Sequence, residues 1–366
     1  MQVTAAIAPS KGAPLQLEQV ELDEPRPTEV RVRMVATGVC HTDAHIRDQL
    51  YPTPLPAVLG HEGAGIVETV GAEVTVVAPG DHVVLCANSC GTCQRCLTGQ
   101  LAYCEDLFDR NFGGRRSDGT TSLTWNTEVV SSNFFGQSSF ATYANVAERS
   151  IIRVPKHLDL TLMAPLGCGI QTGAGAVMNE LRPPLGKSLA VFGAGAVGGG
   201  AIMGGVLTGC GVIIAVDVHQ SRLELAMELG ATHTINSSTE DVGARINAIT
   251  DGHGLAAALD TTGRPDVLRV AADALGTRGT LGLVGAAPSG AEARFEIGDS
   301  LNKGWGFRTI IQGSSVPQVF IPGLIELWQQ GRFPFDRLIR HYAFDEINQA
   351  FADSKTGGTV KPVIVF

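Results

Sequence analysis

The sequence predicts an α/β protein in two parts, a β-rich N-terminal region and a doubly wound parallel sheet. Three observations predict it. Short apolar runs separated by turn residues fill the first part, as in "EVRVRMVATGV", "GAGIVETVG" and "GDHVVLC". In the second part the runs "SLAVFGAGAVG", "GVIIAVDVH", "ATHTINSS", "LAAALDTTG" and "GTLGLVGAA" read as strands, and "SRLELAMELG" and "PDVLRVAADAL" between them as helices. Strands that alternate with helices build parallel sheets. A glycine turn, Gly193-x-Gly195-x-x-Gly198, directly follows the first of these strands.

At 366 residues the chain fits two domains, on a prior of roughly 150 residues each. The expected division is 1–169 for the β-rich part, with a cysteine lobe at about 88–106, and 170–310 for the parallel sheet. The segment 311–366 holds a helix, "VPQVFIPGLIELWQQGRF", and a closing strand, "GTVKPVIVF", expected to rejoin the first part. Net charge is −9 and no basic run occurs. Phosphate binding needs clustered Lys and Arg, so nucleic acid is excluded as a partner. The opening "MQVTAAIAPSKGAP" lacks a basic stretch followed by an apolar one, so a cytoplasmic location is expected. Ser188 to Val216 carries no charge, but glycines interrupt it, and it reads strand–turn–helix–strand rather than as a membrane span.

The glycine turn gains weight from its context. A helix is expected after it, then the strand "VIIAVD", which ends at Asp217, 19 residues past Gly198. That order matches a dinucleotide site: glycines allow the turn and the close approach of pyrophosphate, the helix N-terminus favours negative charge, and the acid takes the ribose hydroxyls. Asp217 would repel a 2′-phosphate, so NAD is expected rather than NADP. A glycine-rich turn with no ligand is the plain alternative. Gly199, Gly200, Gly204 and Gly205 fall inside the expected helix. Each costs about 1 kcal/mol relative to Ala, and close packing of the helix is the expected compensation.

Eight cysteines occur, four of them in the run Cys90-x2-Cys93-x2-Cys96-x7-Cys104. Such spacing lets four thiolates converge on one Zn²⁺ in a closed tetrahedron, a structural site. An iron–sulfur run also begins C-x2-C-x2-C, but its fourth Cys follows at x3 and precedes Pro, which Cys104 does not. Free or bridged thiols remain the other alternative. Cys86 and Cys210 lie outside this spacing and read as small buried apolar residues.

The stretches "GVCHTDAH", "GHEGAGIV" and "GCGIQTG" place Cys40, His61 and Cys168 far apart in sequence. Taken singly, a Cys packs in a core and a His satisfies itself on a surface. Jointly, a Cys₂His set with an open fourth position is a catalytic zinc set.

With these residues in view, the chain resembles the zinc-dependent medium-chain alcohol dehydrogenases, closest to the bacterial aryl (benzyl) alcohol dehydrogenases. "GVCHTD", "GHEGAGIVETVG", "GDHVV", the four-cysteine lobe, "GCGIQTG", "GAGAVG" and "GGTVKPVIVF" carry the resemblance over nearly the whole length, and "NFFGQSSFATYA" points to the aryl branch. The resemblance implies a GroES-like catalytic domain, a Rossmann domain, NAD, and two Zn²⁺ per subunit. It implies that Cys40, His61 and Cys168 hold the catalytic zinc and that Cys90, Cys93, Cys96 and Cys104 hold the structural one. Glu62 would be an acid close to the metal, Thr42 the acceptor of the alcohol proton, and His45 the residue that passes it on. Asp217 and Arg222 would serve the adenosine ribose, Thr172 and Val284 the nicotinamide half, and Lys361 the pyrophosphate.

Two departures from relatives stand out. His41 replaces an Arg common beside the first zinc Cys, which gives pyrophosphate a weaker and pH-dependent partner. Phe108 stands where the glutathione-dependent formaldehyde dehydrogenases have an Arg for the substrate carboxylate, and His45 where they have Tyr. With Phe134 and Phe135, Phe108 suggests a cleft for a flat apolar ring; core packing is the alternative for these rings. The expected activity is reversible oxidation of benzyl-type or allylic alcohols. S-(hydroxymethyl)glutathione oxidation and general primary alcohol oxidation are the alternatives within enzymes, and a non-catalytic zinc and NAD binder the alternative outside them. A small-molecule substrate, no nucleic acid, no membrane, and a homodimer (a tetramer as the second choice) complete the expectation.

Overall fold

A computed structural model describes residues 1–366. Packing divides the chain into two units. One comprises Met1–Cys168, Val316–Gly323 and Ile339–Phe366; the other comprises Gly169–Ser315 and Leu324–Leu338. The C-terminal stretch is thus shared, because helix Pro317–Gln329 begins in the first unit and continues into the second.

The first unit is built on two sheets. Strands Ala57–Val58, Gln2–Ala8, Gln16–Leu22, Leu123–Trp125 and Glu128–Val130 form one, antiparallel throughout. The other runs Ile151–Val154, His82–Leu85, Gly63–Val70, Glu29–Gly38, Lys361–Val365 and Ile339–Ala343, with Tyr143–Ala147 also paired to Glu29–Gly38. Val363 lies opposite Gly38, so the last strand closes against the third of the chain. Arg116 ties loops of this unit together: it makes two bonds to Asp23 (2.7 and 2.9 Å) and two to Glu29 (2.7 and 2.8 Å). Paired carboxylates on both sides explain how a nearly buried guanidinium is tolerated here.

The second unit is a six-stranded parallel sheet in the order His233–Asn236, Val212–Asp217, Ser188–Phe192, Leu255–Asp260, Leu275–Leu283, Gly306–Thr309. That is the 3-2-1-4-5-6 order of a dinucleotide-binding sheet, with the switch of direction beside the first strand. The uncharged stretch resolves into strand Ser188–Phe192, helix Ala196–Leu207 and strand Val212–Asp217. No single helix is long and apolar enough to cross a membrane.

The glycines of helix Ala196–Leu207 have a packing cause. A Cβ at Gly200 would stand 2.6 Å from the Ile170 carbonyl oxygen, and one at Gly204 would stand 3.2 Å from that of Ala174. From the facing side, a Cβ at Gly173 would collide with the Val197 carbonyl at 1.8 Å. Helices Gly169–Gly175 and Ala196–Leu207 therefore meet backbone to backbone. Gly205 faces the sheet instead, against Leu189 and Ile213. The compensation lies as much in this helix pair as in the sheet.

Candidate catalytic metal centre and nucleotide site

Cys40, His61, Glu62 and Cys168 come together within the first unit. One ligand atom from each lies within 4.8 Å of the others. Cys40 sits at the N-cap of helix His41–Arg47, and His61 and Glu62 lie directly before strand Gly63–Val70. Cys168 ends the short helical turn Ala164–Gly167.

Asp43, which the motif reading passed over, organises this group. Its Oδ2 accepts the Cys40 N–H at 3.0 Å, and its Oδ1 accepts the Gly60 N–H at 3.1 Å. Oδ1 also meets His61 Nδ1 at 2.9 Å. The available sign was its place three residues after the N-cap, where a capping carboxylate belongs. With Nδ1–H donating to Asp43, the lone pair of His61 lies on Nε2. That atom is buried and has no hydrogen-bond partner. Buried polar atoms are otherwise satisfied, so an orphaned imidazole nitrogen beside two sulfurs fits a metal ligand, and the N and S donors fit zinc.

Electrostatics agree. The Cys168 thiol beside Cys40 holds the Cys40 sulfur well below the ordinary thiol range, and the same contact with burial pushes Cys168 up. Burial works against a charged imidazole at His61, but the Asp43 carboxylate outweighs it, so Nε2 has to release a proton when it takes a metal ion. Burial raises Glu62 against the pull of Lys361.

Lys361, expected at the pyrophosphate, is 2% exposed. Its Nζ donates to both Glu62 oxygens at 2.9 Å and to the Val39 carbonyl at 3.0 Å. All three ammonium donors are thereby used inside the first unit.

The second cluster, Cys90, Cys93, Cys96 and Cys104, also has its sulfurs within 4.8 Å of one another. Backbone N–H groups of Thr92 and Cys93 lower Cys90 to about 6. No disulfide is formed. Among the two outlying cysteines, Cys86 is buried as expected, whereas Cys210 is only half-buried, beside Thr208.

Thr42 and His45 lie half-buried on helix His41–Arg47, with Thr42 Oγ1 3.8 Å from Cys40 Sγ and exposed His41 at the first position. Phe135 stacks on the His61 ring at 4.5 Å and Phe134 meets it edge-on at 5.5 Å. Phe112, absent from the motif reading, joins these rings: it lies 5.0 Å from Phe135 and stacks on half-exposed Phe108 at 5.0 Å. Tyr51 lies between Phe112 (6.1 Å) and His45 (6.2 Å).

In the second unit, Gly193 turns with φ +91, and a Cβ at Gly198 would meet the Gly193 carbonyl at 1.9 Å. A Cβ at Gly195 would meet nothing within 4 Å. Asp217 ends its strand, accepting from Ala194 N at 2.7 Å and His219 N at 2.9 Å, with Arg222 at 3.8 Å. Val284 follows strand Leu275–Leu283, held by the Asp260 carbonyl at 3.0 Å, and Thr172 is buried on helix Gly169–Gly175.

Comparison with known proteins follows the same division. The alcohol dehydrogenase GroES-like domain matches residues 26–156, and the zinc-binding dehydrogenase domain matches 196–329. Geraniol dehydrogenase of Castellaniella defragrans is 44% identical over 99% of this chain and 97% of its own length. The chain belongs to the zinc-dependent medium-chain alcohol dehydrogenases. Two crystal structures of family members superpose with TM-scores of 0.97, each covering 100% of this chain and 99% of its own. One is benzyl alcohol dehydrogenase from Acinetobacter calcoaceticus, at 49% identity. The other is an alcohol dehydrogenase zinc-binding domain protein from Burkholderia ambifaria, at 53%.

Groups that orient metal-binding histidines typically affect metal affinity by about 10–100-fold. Asp43→Asn turns an N–H donor toward a neighbouring N–H and is expected to weaken zinc at the Cys40 centre within that range, as read by competition with a chelator. Unchanged affinity would remove the orienting role assigned to Asp43.

Proposed function

We propose that this alcohol dehydrogenase oxidises primary aromatic or allylic alcohols to aldehydes, reversibly, with NAD as the hydride acceptor. The carrying observation is the aromatic wall that starts on His61 itself and runs through Phe135 and Phe112 to Phe108. Flat unsaturated groups pack well on such rings. The names of the geraniol and benzyl alcohol relatives, one an allylic and the other an aromatic alcohol, support the same class.

Cys40, His61 and Cys168 would hold zinc, which would supply a Lewis acid that lowers the pKa of an alcohol, and NAD would supply the hydride acceptor for the carbinol carbon. The residues of the chain handle the proton. Thr42 Oγ1 accepts it from the alcohol hydroxyl, since a hydroxyl both accepts and donates. His45, three residues on along the same helix face, receives it, because a neutral imidazole offers one ring nitrogen as acceptor and the other as donor. Lys361 neutralises Glu62, which keeps a second buried charge from competing beside the thiolates.

One ring contact is worth roughly 1.5 kcal/mol, or about tenfold in rate. NADH formation is expected to be at least about 100-fold more efficient with benzyl, cinnamyl or geranyl alcohol than with ethanol, and Phe112→Ala to cost about tenfold on benzyl alcohol. Comparable efficiency on ethanol would reject the substrate class, and higher efficiency on S-(hydroxymethyl)glutathione would transfer the assignment to that reaction.

The preference for NAD rests on Asp217. After two backbone N–H bonds each carboxylate oxygen keeps a lone pair for a ribose hydroxyl. NAD is expected to be preferred by at least about 100-fold, and Asp217→Ala to bring the two cofactors within about tenfold of each other, as loss of the charge repulsion requires. Equal binding of NADP by the unaltered protein would contradict this.

We also infer a C₂ homodimer. Strand Gly306–Thr309 is a sheet edge exposed along its whole length, and Ile297 and Leu301, on the helix Ile297–Lys303 that precedes it, are 83% and 80% exposed. An open edge with an apolar flank suits pairing with a second copy. Sedimentation equilibrium should return about twice the 38.3 kDa chain mass; a monomer at micromolar concentration would count against it.

A further inference from the structure

We propose that Gln137 is a positioning residue for His61. The inference rests on the zinc reading of Cys40, His61 and Cys168, and it concerns how the protein aims one of those ligands.

Gln137 is 1% exposed and lies in the buried polar turn that also carries Ser132, Asn133, Ser138 and Ser139. Its Oε1 accepts the Gly63 N–H at 3.0 Å. Its Nε2 donates to the His61 carbonyl at 3.1 Å and to the Cys86 carbonyl at 3.3 Å. One planar amide thus grips the backbone on both sides of Glu62.

The sheet register shows why it is there. Strands Gly63–Val70 and His82–Leu85 pair antiparallel at Ile66–His82, Gly65–Val83 and Ala64–Val84. Continued, that register would set Glu62 opposite Cys86, yet the ladder stops. The Gln137 amide occupies the gap and replaces the missing rungs. The Glu62 carbonyl still accepts from Gly38 N at 3.0 Å, so the backbone bearing His61 and Glu62 parts from strand His82–Leu85 alone and presents its side chains there without leaving buried amides unsatisfied. Only a side chain with one acceptor and two donors at this length does so, which is glutamine. Gly63 admits the turn, since a Cβ there would stand 2.8 Å from Ser139 Cβ and 3.1 Å from Gln137 Oε1.

The same turn touches the imidazole. Phe135, held at φ 52 and ψ 33, a left-handed conformation costly for a non-glycine residue, stacks on His61 at 4.5 Å. Asp43 fixes Nδ1, Phe135 fixes the ring face, and Gln137 fixes the main chain from which the ring projects.

Zinc release from the holoenzyme to a chromogenic chelator tests the assignment, with the four-cysteine lobe as internal reference. Gln137→Met keeps length and volume without the amide. It is expected to speed release from the Cys40–His61–Cys168 centre about tenfold, at the low end for groups that orient a ligand, with release from the lobe within about twofold. The value of kcat should fall about tenfold while KM stays within about threefold, as for loss of an interaction made in the transition state. Ser138→Ala removes two bonds of the same turn, to Phe134 N and Val58 O, without touching residues 61–63, and is expected to keep both release rates. Equal acceleration at both sites, no acceleration at either, or the same selective acceleration by Ser138→Ala overturns the proposal. If Gln137→Met does not fold, Gln137→Glu, which keeps the acceptor and loses both donors, is read against the same outcomes. Two zinc equivalents without a selective effect sink this inference alone; a single equivalent, in the lobe, sinks the zinc reading as well.

Discussion

The hydrogen bond between Asp43 and His61 is the constraint on which the Cys40–His61–Cys168 cluster depends. One carboxylate takes the N–H groups of Cys40 and Gly60 and the imidazole Nδ1–H. It thereby caps a helix, closes the loop before a strand and fixes a tautomer. The cost is Nε2, buried and bare. An unsatisfied buried polar atom costs about 1–3 kcal/mol, and the chain accepts that cost at the point where two sulfurs converge. The arrangement is coherent once an ion takes the lone pair, because what is a penalty for the empty side chain becomes the bonding electrons of a ligand.

The aromatic rings have two tasks here that need not compete. Phe134 is fully buried and belongs to the core that also holds Ile46 and Leu59. Phe135 is buried too, but it lies on the His61 ring rather than among aliphatic side chains alone. Phe112 and Phe108 carry the stack outward until a ring is half in solvent. An isolated exposed Phe would be unremarked surface. An exposed Phe that ends a continuous stack beginning on His61 belongs to that stack rather than to the surface alone.

Local rules made much of this visible in the sequence. The glycine turn, the acid at the end of the next strand and the four-cysteine lobe are written within short spans, because phosphate approach and tetrahedral thiolate geometry each demand fixed residues at fixed spacing. Cys40, His61 and Cys168 are distant from one another, and only their joint occurrence with a family pattern tied them together. Asp43, Gln137 and Phe112 escaped notice for a common reason. Asp43 offered only its place after the N-cap, and a Gln in a loop or a Phe near a turn carries no spacing signal at all, since the partners of all three are chosen by the tertiary fold. The four helix glycines were visible as an anomaly, but their cause was not. For Gly200 and Gly204 it lies in a second helix, Gly169–Gly175, whose own Gly173 answers them, while Gly205 meets the sheet and Gly199 the side chains of Leu338 and Leu229.

Lys361 shows the same limit from the side of electrostatics. The family resemblance alone assigns it to the pyrophosphate, and nothing nearby in sequence points to Glu62. The fold sets it 299 positions away from its partner, Glu62, with both side chains almost wholly buried. A buried carboxylate beside cysteine thiolates would be intolerable without a counter-charge, since removing one member of such a pair leaves an uncompensated buried ion at a cost of roughly 3–5 kcal/mol. The strand Lys361–Val365 is therefore more than a last rung of the sheet. By pairing Val363 with Gly38 it brings an ammonium to the one place where the sequence around His61 has created an excess of negative charge. The residues that would bind the metal are complete by Cys168, but the charge balance that lets them sit together is not complete until Lys361 is in place.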